Sequence, residues 1–420
     1  MTNFSDISTD PLYLTALASL GPSVPAKLTA PPGKNSIAVL PFLNVSGDSE
    51  QEFFTDGLTE DIITDLSNVK GFFVIARNST FAFKGRNIDV RQIAQDLGVK
   101  YILQGSARKA DRRLRINVQL IDAEAGGNHV WAERFDRDLS DVFAIQDAVT
   151  SRVIEAIVGT LGNLGSAERQ RPGNLEAYEL CVRARHLWHH SRAACDESIE
   201  LLSRAVELDP NYAEAHWRYA LAVHAKWLSW GADEIATQQK SLVLAARALQ
   251  LDPNDSDANY MMGDMLLYER QWDDAEVFFE KSIALNPNAA DVLSMFGDCY
   301  LMLGKPDEAL RHSTKAMRLN PQPPGWYYWL HGVAQFGNGL FEDAVQSFRQ
   351  PCTYRSPSRR VLAAALAKLN RLEQAQEEGR FYMLANPEWR ISAWSKNQRF
   401  KKEQDMQFWI DGFRLAGLPE

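Results

Sequence analysis

Leu208-Asp209-Pro210, Leu251-Asp252-Pro253, Leu285-Asn286-Pro287 and Leu319-Asn320-Pro321 are four copies of one phrase, and the last two intervals are both 34 residues. Between the prolines small residues recur on the same period: Gly263, Ala275 and Ser282 in one copy, Gly297, Ala309 and Ala316 in the next. Two helices that cross closely need small side chains at the crossing, so this lattice predicts helical hairpins that stack on their neighbours. It predicts a binding surface and no chemistry.

Thirty-four residues is the tetratricopeptide period. The register places hairpins at about 175–210, 213–253, 256–287, 290–321, 325–356 and 359–387, the last weaker than the others. The second hairpin carries a nine-residue surplus around Trp227 to Glu234, expected to lengthen the turn between its helices. Asp196-Glu197, Asp273-Asp274, Asp307-Glu308, Glu342-Asp343 and Glu373 precede or open the second helix of a hairpin. Carboxylates there are expected to cap free N–H groups and to favour the positive end of the helix dipole.

Upstream the period changes. Residues 1–35 are rich in Ser, Thr and Pro and end in Pro31-Pro32-Gly33, a flexible lead-in by composition. Ser36 to Phe42 is an apolar run of buried-strand type. Phe54, Leu58, Ile62 and Leu66 then recur every fourth residue along one helical stripe. Further strands are expected at Phe72 to Ala76, Tyr101 to Ala107, Leu114 to Leu120 and His129 to Phe135. Helices are expected at Asp89 to Leu97, with Asp89 as N-cap and Gly98 as stop, and at Val142 to Leu161. The expected fold class is therefore an α/β amino-terminal domain, a five-strand sheet with helices, joined to an all-α tetratricopeptide-repeat solenoid. The expected boundaries are 1–35 for the lead-in, 36–162 for the α/β domain, 163–174 for a linker, 175–390 for the repeats and 391–420 for a helical cap or tail.

Composition narrows the function class. The 420 residues carry a net charge of −9 with 45% hydrophobic residues, ordinary for a globular protein and unlike the basic footprint of a general nucleic-acid binder. Nucleic acid is therefore not an expected partner. Four scattered cysteines without CxxC spacing read as free thiols in a reducing compartment. The first twenty residues lack Lys and Arg, and no apolar run approaches a membrane span, so a cytoplasmic location is expected.

No phosphate-binding glycine loop, nucleophile elbow or zinc-protease motif is present, so no catalytic residue, cofactor or metal is expected. His186 and His190 share a helical face but lack a third ligand at suitable spacing. Lys84 and Arg86, with Arg108 and Lys109, form a weak candidate anion-binding edge, because cations beside backbone N–H groups hold phosphates. The leading candidate is the groove lined by the first helices of the hairpins. Asp257, Tyr260 and Asp264 recur as Asp291, Ser294 and Asp298, followed by Trp326 and Trp329. Stacked like charges repel unless a cationic partner neutralises them, so the expected partner is a protein or peptide of basic or aromatic character. Oligomeric state is not fixed by these patterns.

Several stretches are similar to a known family: Ser36 to Phe42, Phe54 to Ile63, Val74 to Ser79, Lys84-Gly85-Arg86, Leu103 to Lys109, Leu120 to Ala123 and Trp131 to Asp136. They resemble a TolB-like (FlgO-like) amino-terminal domain, which in bacteria is often followed by tetratricopeptide repeats. The closing Gly412 to Glu420 resembles the tail of that architecture. The resemblance implies a non-catalytic interaction scaffold in signalling or regulation. In such proteins the pair commonly trails an adenylate or guanylate cyclase domain, or a winged-helix DNA-binding domain. The lead-in is too short for either, so the resemblance leaves two alternatives: a detached regulatory half of a cyclase-like system, or a regulator component without its DNA-binding domain.

Overall fold

The computed structural model describes residues 33–46, 48, 51–110, 113–158, 171–353 and 356–420. The expected lead-in up to residue 32 and most of the expected linker lie outside the described residues.

The amino-terminal region folds as β1 (Ser36–Val39), β2 (Leu43–Asn44), α1 (Glu52–Ser67), β3 (Phe73–Val74), α2 (Arg77–Phe81), α3 (Val90–Leu97), β4 (Tyr101–Ala110), β5 (Arg113–Asp122), β6 (Asn128–Asp138) and α4 (Val142–Val158). Its sheet runs in the order β3-β1-β4-β5-β6, with β2 also paired to β4. β1 is parallel to β3 and β4, whereas β4-β5 and β5-β6 are antiparallel. The five expected strands are present and β2 is a sixth. Pro41, lacking an N–H, interrupts the first strand, and the next N–H, that of Phe42, donates to Thr59 Oγ1 of α1 at 3.0 Å. The chain then rejoins β4 through Leu43 and Asn44.

β5 shows why the sheet has two unlike faces. Leu114, Ile116, Val118 and Leu120 are fully buried while Arg113 and Arg115 face solvent, as a period of two requires. The buried face meets α1 and α4 in a large core. A smaller core on the opposite side joins Ala38 and Ile102 to Ile93, Ala94 and Leu97 of α3. Asp89 caps α3 through a 2.8 Å bond from Arg91 N–H, and Gly98 closes it with a left-handed φ of 65°. Between β3 and α3 lies the one-and-a-half-turn helix α2, whose Ser79 and Thr80 are completely buried.

Helical hairpins follow: α5 (Leu175–Ala184) with α6 (Arg192–Leu208), α7 (Ala213–Trp230) with α8 (Glu234–Leu251), α9 (Ser256–Tyr268) with α10 (Trp272–Leu285), α11 (Ala290–Met302) with α12 (Pro306–Leu319), α13 (Gly325–Gly337) with α14 (Phe341–Phe348), and α15 (Ser356–Lys368) with α16 (Leu372–Ala385). The hairpin expected to be weak is fully formed. α17 (Ile391–Lys396) and α18 (Glu403–Leu415) end the chain. The surplus of the second hairpin does not lengthen its turn. It extends both helices to 18 residues, and Gly231 in the left-handed region makes a tight reversal before the Asp233 cap.

The acidic pairs also act differently from expectation. Asp273-Asp274, Asp307-Glu308, Glu342-Asp343 and Glu373 occupy first helical turns, where they favour the dipole, but none of the preceding cap residues makes a side-chain cap bond. Asp196-Glu197 lie beyond the first turn of α6, whose cap is Ser191. The small-residue lattice does mark close crossings. A Cβ on Gly263 would stand 2.6 Å from the Phe279 ring, and one on Gly332 would stand 2.7 Å from Phe348.

The described residues divide into two compact units, 33–292 and 293–420. Within the first, one continuous core takes in Leu58, Ile62, Val118 and Val149 of the α/β region together with Tyr178, Tyr212, Ala215 and Val223 of the first two hairpins. Within the second, α18 packs its Trp409 against Phe336 of α13, with ring centroids 4.7 Å apart, and its Phe413 edge-on to Trp389 and Trp394.

Candidate functional site

The densest polar constellation lies where α1 meets α5 and α7. Asp61 and Asp65 stand three and seven residues after Leu58 and flank Ile62, so the apolar stripe of α1 carries two carboxylates into its buried face. Arg185, just past the end of α5 and 2% exposed, answers them. Its Nη2 donates to Asp61 Oδ1 at 2.8 Å and lies 3.0 Å from Glu214 Oε1 of α7, and its Nη1 reaches Glu60 Oε2 at 3.4 Å. Tyr178 Oη donates to Asp61 Oδ2 at 2.6 Å, and Gln146 Nε2 of α4 donates to the same oxygen at 2.8 Å. Arg218 Nε donates to Glu214 at 2.6 Å, and His186 Nε2 lies 2.8 Å from Glu60.

Carboxylates and cations are thus interleaved. Burial works to raise Glu60, but His186, Arg77 and Arg185 outweigh it and hold that carboxyl well below its ordinary value. Burial works against the charge on Arg185, and Asp61, Glu214 and Glu60 overcome it, so its pKa is raised further. Burial, with Asp61 adding, pushes the Tyr178 hydroxyl well above the phenol range, so Tyr178 remains a donor. Every member is bonded to another member, which makes this a clamp between the α/β region and the first hairpins.

Two further contacts close the clamp. Arg171 Nη2 pairs with Asp65 at 2.8 Å and also with Asp147. After α10, Asn286 Nδ2 donates to Ser67 Oγ at 2.9 Å, while Asn288 Nδ2 donates to the Ser67 and Phe72 carbonyls at 3.2 and 3.0 Å. Asn286 belongs to the repeated Leu-Asn-Pro phrase. One copy of the repeat punctuation therefore also grips the end of α1.

The residues expected to line a groove fall into both units. In the first, Tyr260 is buried and stacked near Phe279, and Asp264 is buried with its carboxylate 3.4 Å from His224. Tyr260 thus packs inside its own hairpin, and Asp264 packs between two hairpins. Asp257 is half-buried and Asp291 is exposed. In the second unit Asp298, Trp326 and Trp329 are half-buried. Burial pushes the Asp298 carboxyl up to about 6, with Arg360 opposing. Trp329 is tilted against Phe348 at 5.5 Å, and Trp326 against Tyr327 at 4.3 Å.

Of the anion-binding candidates, Lys84 lies 2.6 Å from both Glu52 and Asp56, and Lys109 lies 2.7 Å from Glu179. Carboxylates already occupy these two ammonium groups. Arg86 and Arg108 are exposed. His189 and His190 stack at 4.5 Å while His186 turns to Glu60. Among the described residues no group of three or more His, Cys, Asp or Glu side chains is placed to hold a metal ion. No helix of the described residues is long and apolar enough to cross a membrane.

Sequence reading missed Asp61, Tyr178, Arg185 and Glu214. The signal was Asp61 and Asp65 standing inside an apolar stripe, where a solvated carboxylate has no place.

Comparison with known proteins completes the description. Residues 33–152 match the family model "HilA/YgeH-like transcriptional regulator, second domain", and residues 266–326 match a tetratricopeptide-repeat model. A curated relative from Rhizobium meliloti (strain 1021), named "Putative adenylate cyclase 3", is 41% identical over 249 residues, which is 58% of this chain and 42% of the relative. The chain therefore spans less than half the length of that relative. Among solved structures, the "Human IFIT1 dimer with PPP-AAAA" has 15% identity and a TM-score of 0.44, covering 67% of this chain and 68% of its own. "YrrB: a TPR protein with an unusual peptide-binding site" has 19% identity and a TM-score of 0.32, covering 45% and 94%. TolB from Acinetobacter baumannii has 19% identity and a TM-score of 0.23, covering 32% and 31%. The chain thus carries an amino-terminal domain similar to the second domain of HilA/YgeH-like regulators, followed by tetratricopeptide repeats.

Proposed function

We propose that this chain is a non-catalytic interaction scaffold of bacterial signalling or regulation, acting in the cytoplasm, whose repeats capture a protein or peptide partner. The observation that carries the reading is the tetratricopeptide match at 266–326 within a run of stacked hairpins. In this reading residues 36–162 are a TolB-like (FlgO-like) module held on the first hairpins by the Arg185 cluster. Asp257 and Asp291 supply negative charge for a basic partner in one unit, and Asp298, Trp326 and Trp329 supply a carboxylate and aromatic surface in the other. Asp264 and Tyr260 position helices and do not touch the partner.

The test is cross-linking of the full chain to its partners in its native host, followed by mass-spectrometric mapping. Asp291→Lys should abolish the cross-links near α11 while leaving the helical circular dichroism unchanged. Cross-links confined to residues outside the hairpins would sink the scaffold reading.

A second reading is favoured by the cyclase-named relative: the chain regulates an adenylate cyclase-like catalytic partner. Co-purification of cyclic AMP synthesis with the chain separates the two. The match to a regulator's second domain favours a third, participation in transcription control, which loss of a transcript set on deletion would reveal.

A further inference from the structure

β6 is the last strand of the sheet, eleven residues long, and over Glu133 to Arg137 its outer edge makes no backbone hydrogen bond to another element among the described residues. A long free edge is a template for another strand, and proteins normally blunt it with charge. Here the charges do something more specific. The strand reads Glu133-Arg134-Phe135-Asp136-Arg137, and read backwards it is its own electrostatic complement.

In an antiparallel pair directly opposed residues lie on the same face of the sheet. A symmetric pair about a two-fold perpendicular to the sheet must therefore set one residue opposite its own copy. Centred on Phe135, the register opposes Arg134 to Asp136 twice and Glu133 to Arg137 twice, giving four opposite-charge pairs and no like pair. Centred on Glu133, Arg134 or Asp136, the register sets a charge against its own copy. Only the Phe135 register combines the full set of attractions with an apolar centre. Phe135 itself is turned into the core against Ile116, so its ring does not obstruct the approach.

The pairs lie on both faces of the sheet. Arg134 and Asp136 share the outer face with Arg113 and Arg115, which already lie 2.6 and 2.8 Å from Asp136. Arg134 lies 3.6 Å from the same carboxylate. Glu133 and Arg137 are on the α4 side, where Arg152 stands 3.7 Å from Glu133. Asp136 thus has a cationic surplus around it within one chain. Among the described residues Glu133 has one exposed cationic partner, and the Arg137 guanidinium meets only the Asp136 carbonyl, at 3.3 Å.

We propose that the free edge of β6 pairs antiparallel with the same edge of a second copy of this chain, with Phe135 opposite Phe135, so that two sheets become one continuous sheet. One short strand pair is a small interface, so the dimer is weak and concentration-dependent.

Sedimentation equilibrium of the full chain from about 1 µM to about 1 mM tests it, because weak interfaces populate in that range. The unmodified chain should shift from monomer to dimer. Glu133→Arg alone sets like charges opposite at two symmetric places, as does Arg137→Glu alone. Each should weaken the dimer by about tenfold or more. The Glu133→Arg/Arg137→Glu double variant restores both pairs and should restore the dimer. Mixing the two single variants should give a heterodimer where neither self-associates, which keeps the test sound if one variant is less stable; circular dichroism and thermal melts monitor folding. A chain that stays monomeric to about 1 mM, or a dimer indifferent to all these changes, would overturn the proposal.

Discussion

The repeat array is covered at its beginning and at its end by opposite kinds of chemistry. Against α5 and α7 the α/β region brings Glu60 and Asp61; Arg185 answers both, Tyr178 answers Asp61, and Gln146 of α4 adds a further bond to Asp61. Against α13 and α15 the chain end brings rings: Trp409 lies on Phe336, and Phe413 sits at the meeting of Trp389 and Trp394. An aromatic cover stabilises through the area it removes from water, whatever its orientation. Buried charges lose hydration that only correct partners offset, so a charged junction tolerates one arrangement and penalises slippage. The first junction is therefore the one that fixes geometry, and the second chiefly closes a core.

The sharpest way to break the contrast is Arg185→Ala. Asp61 and Glu214 would remain buried without their shared cation, and the expected loss is about 3–5 kcal/mol in urea unfolding near neutral pH. Glu60, whose carboxyl Arg185 helps to hold well below its ordinary value, adds to the loss only while it is ionised, so that part of the loss should shrink as the pH falls. Phe413→Ala should cost about 3 kcal/mol through its cavity. That cost should be flat across about pH 5 to 8, since no titrating group is involved. Equal pH profiles for the two variants would erase the distinction between the junctions. A loss below about 1 kcal/mol for Arg185→Ala would mean that water reaches the cluster.

What the sequence disclosed follows the same division. The 34-residue lattice located the hairpins because small residues and proline phrases are local and periodic. The β5 alternation declared its two faces for the same reason. The clamp was not legible, because Asp61, Tyr178, Arg185 and Glu214 stand far apart in the chain and none belongs to a spaced motif. Asp264 illustrates the converse error: it repeats at 34 residues with Asp298, yet it is buried beside His224. Periodicity marks equivalent positions in a repeat without saying whether they face solvent. The lengthened helices of the second hairpin failed for a third reason, since nine additional residues can be absorbed by helix or turn, and Gly231 in the left-handed region decided for helix.

The finest test of the comparison sets one carboxylate in each unit against the other. Glu60 is held well below its ordinary value by cations that outweigh its burial, so it stabilises the fold above about pH 4.5 and loses that contribution as pH falls through its folded value. Asp298 runs the other way. Burial raises it to about 6 from the ordinary 3.8, with Arg360 only partly opposing. Between those two values the folded state holds a proton that the unfolded state has lost, so the associated stability is present in acid and disappears as pH climbs through the window. Asp298→Asn removes that titration. Since the side chain is half-buried and its shift partly screened, the gain should be modest, about 1 kcal/mol at neutral pH. The advantage should vanish near pH 4, where the aspartate is protonated as well, and urea unfolding of both proteins at a series of pH values would register the convergence. A variant less stable than its parent at neutral pH would show that the Asp298 charge is favourable where it stands, and that both units bury their carboxylates on the same terms.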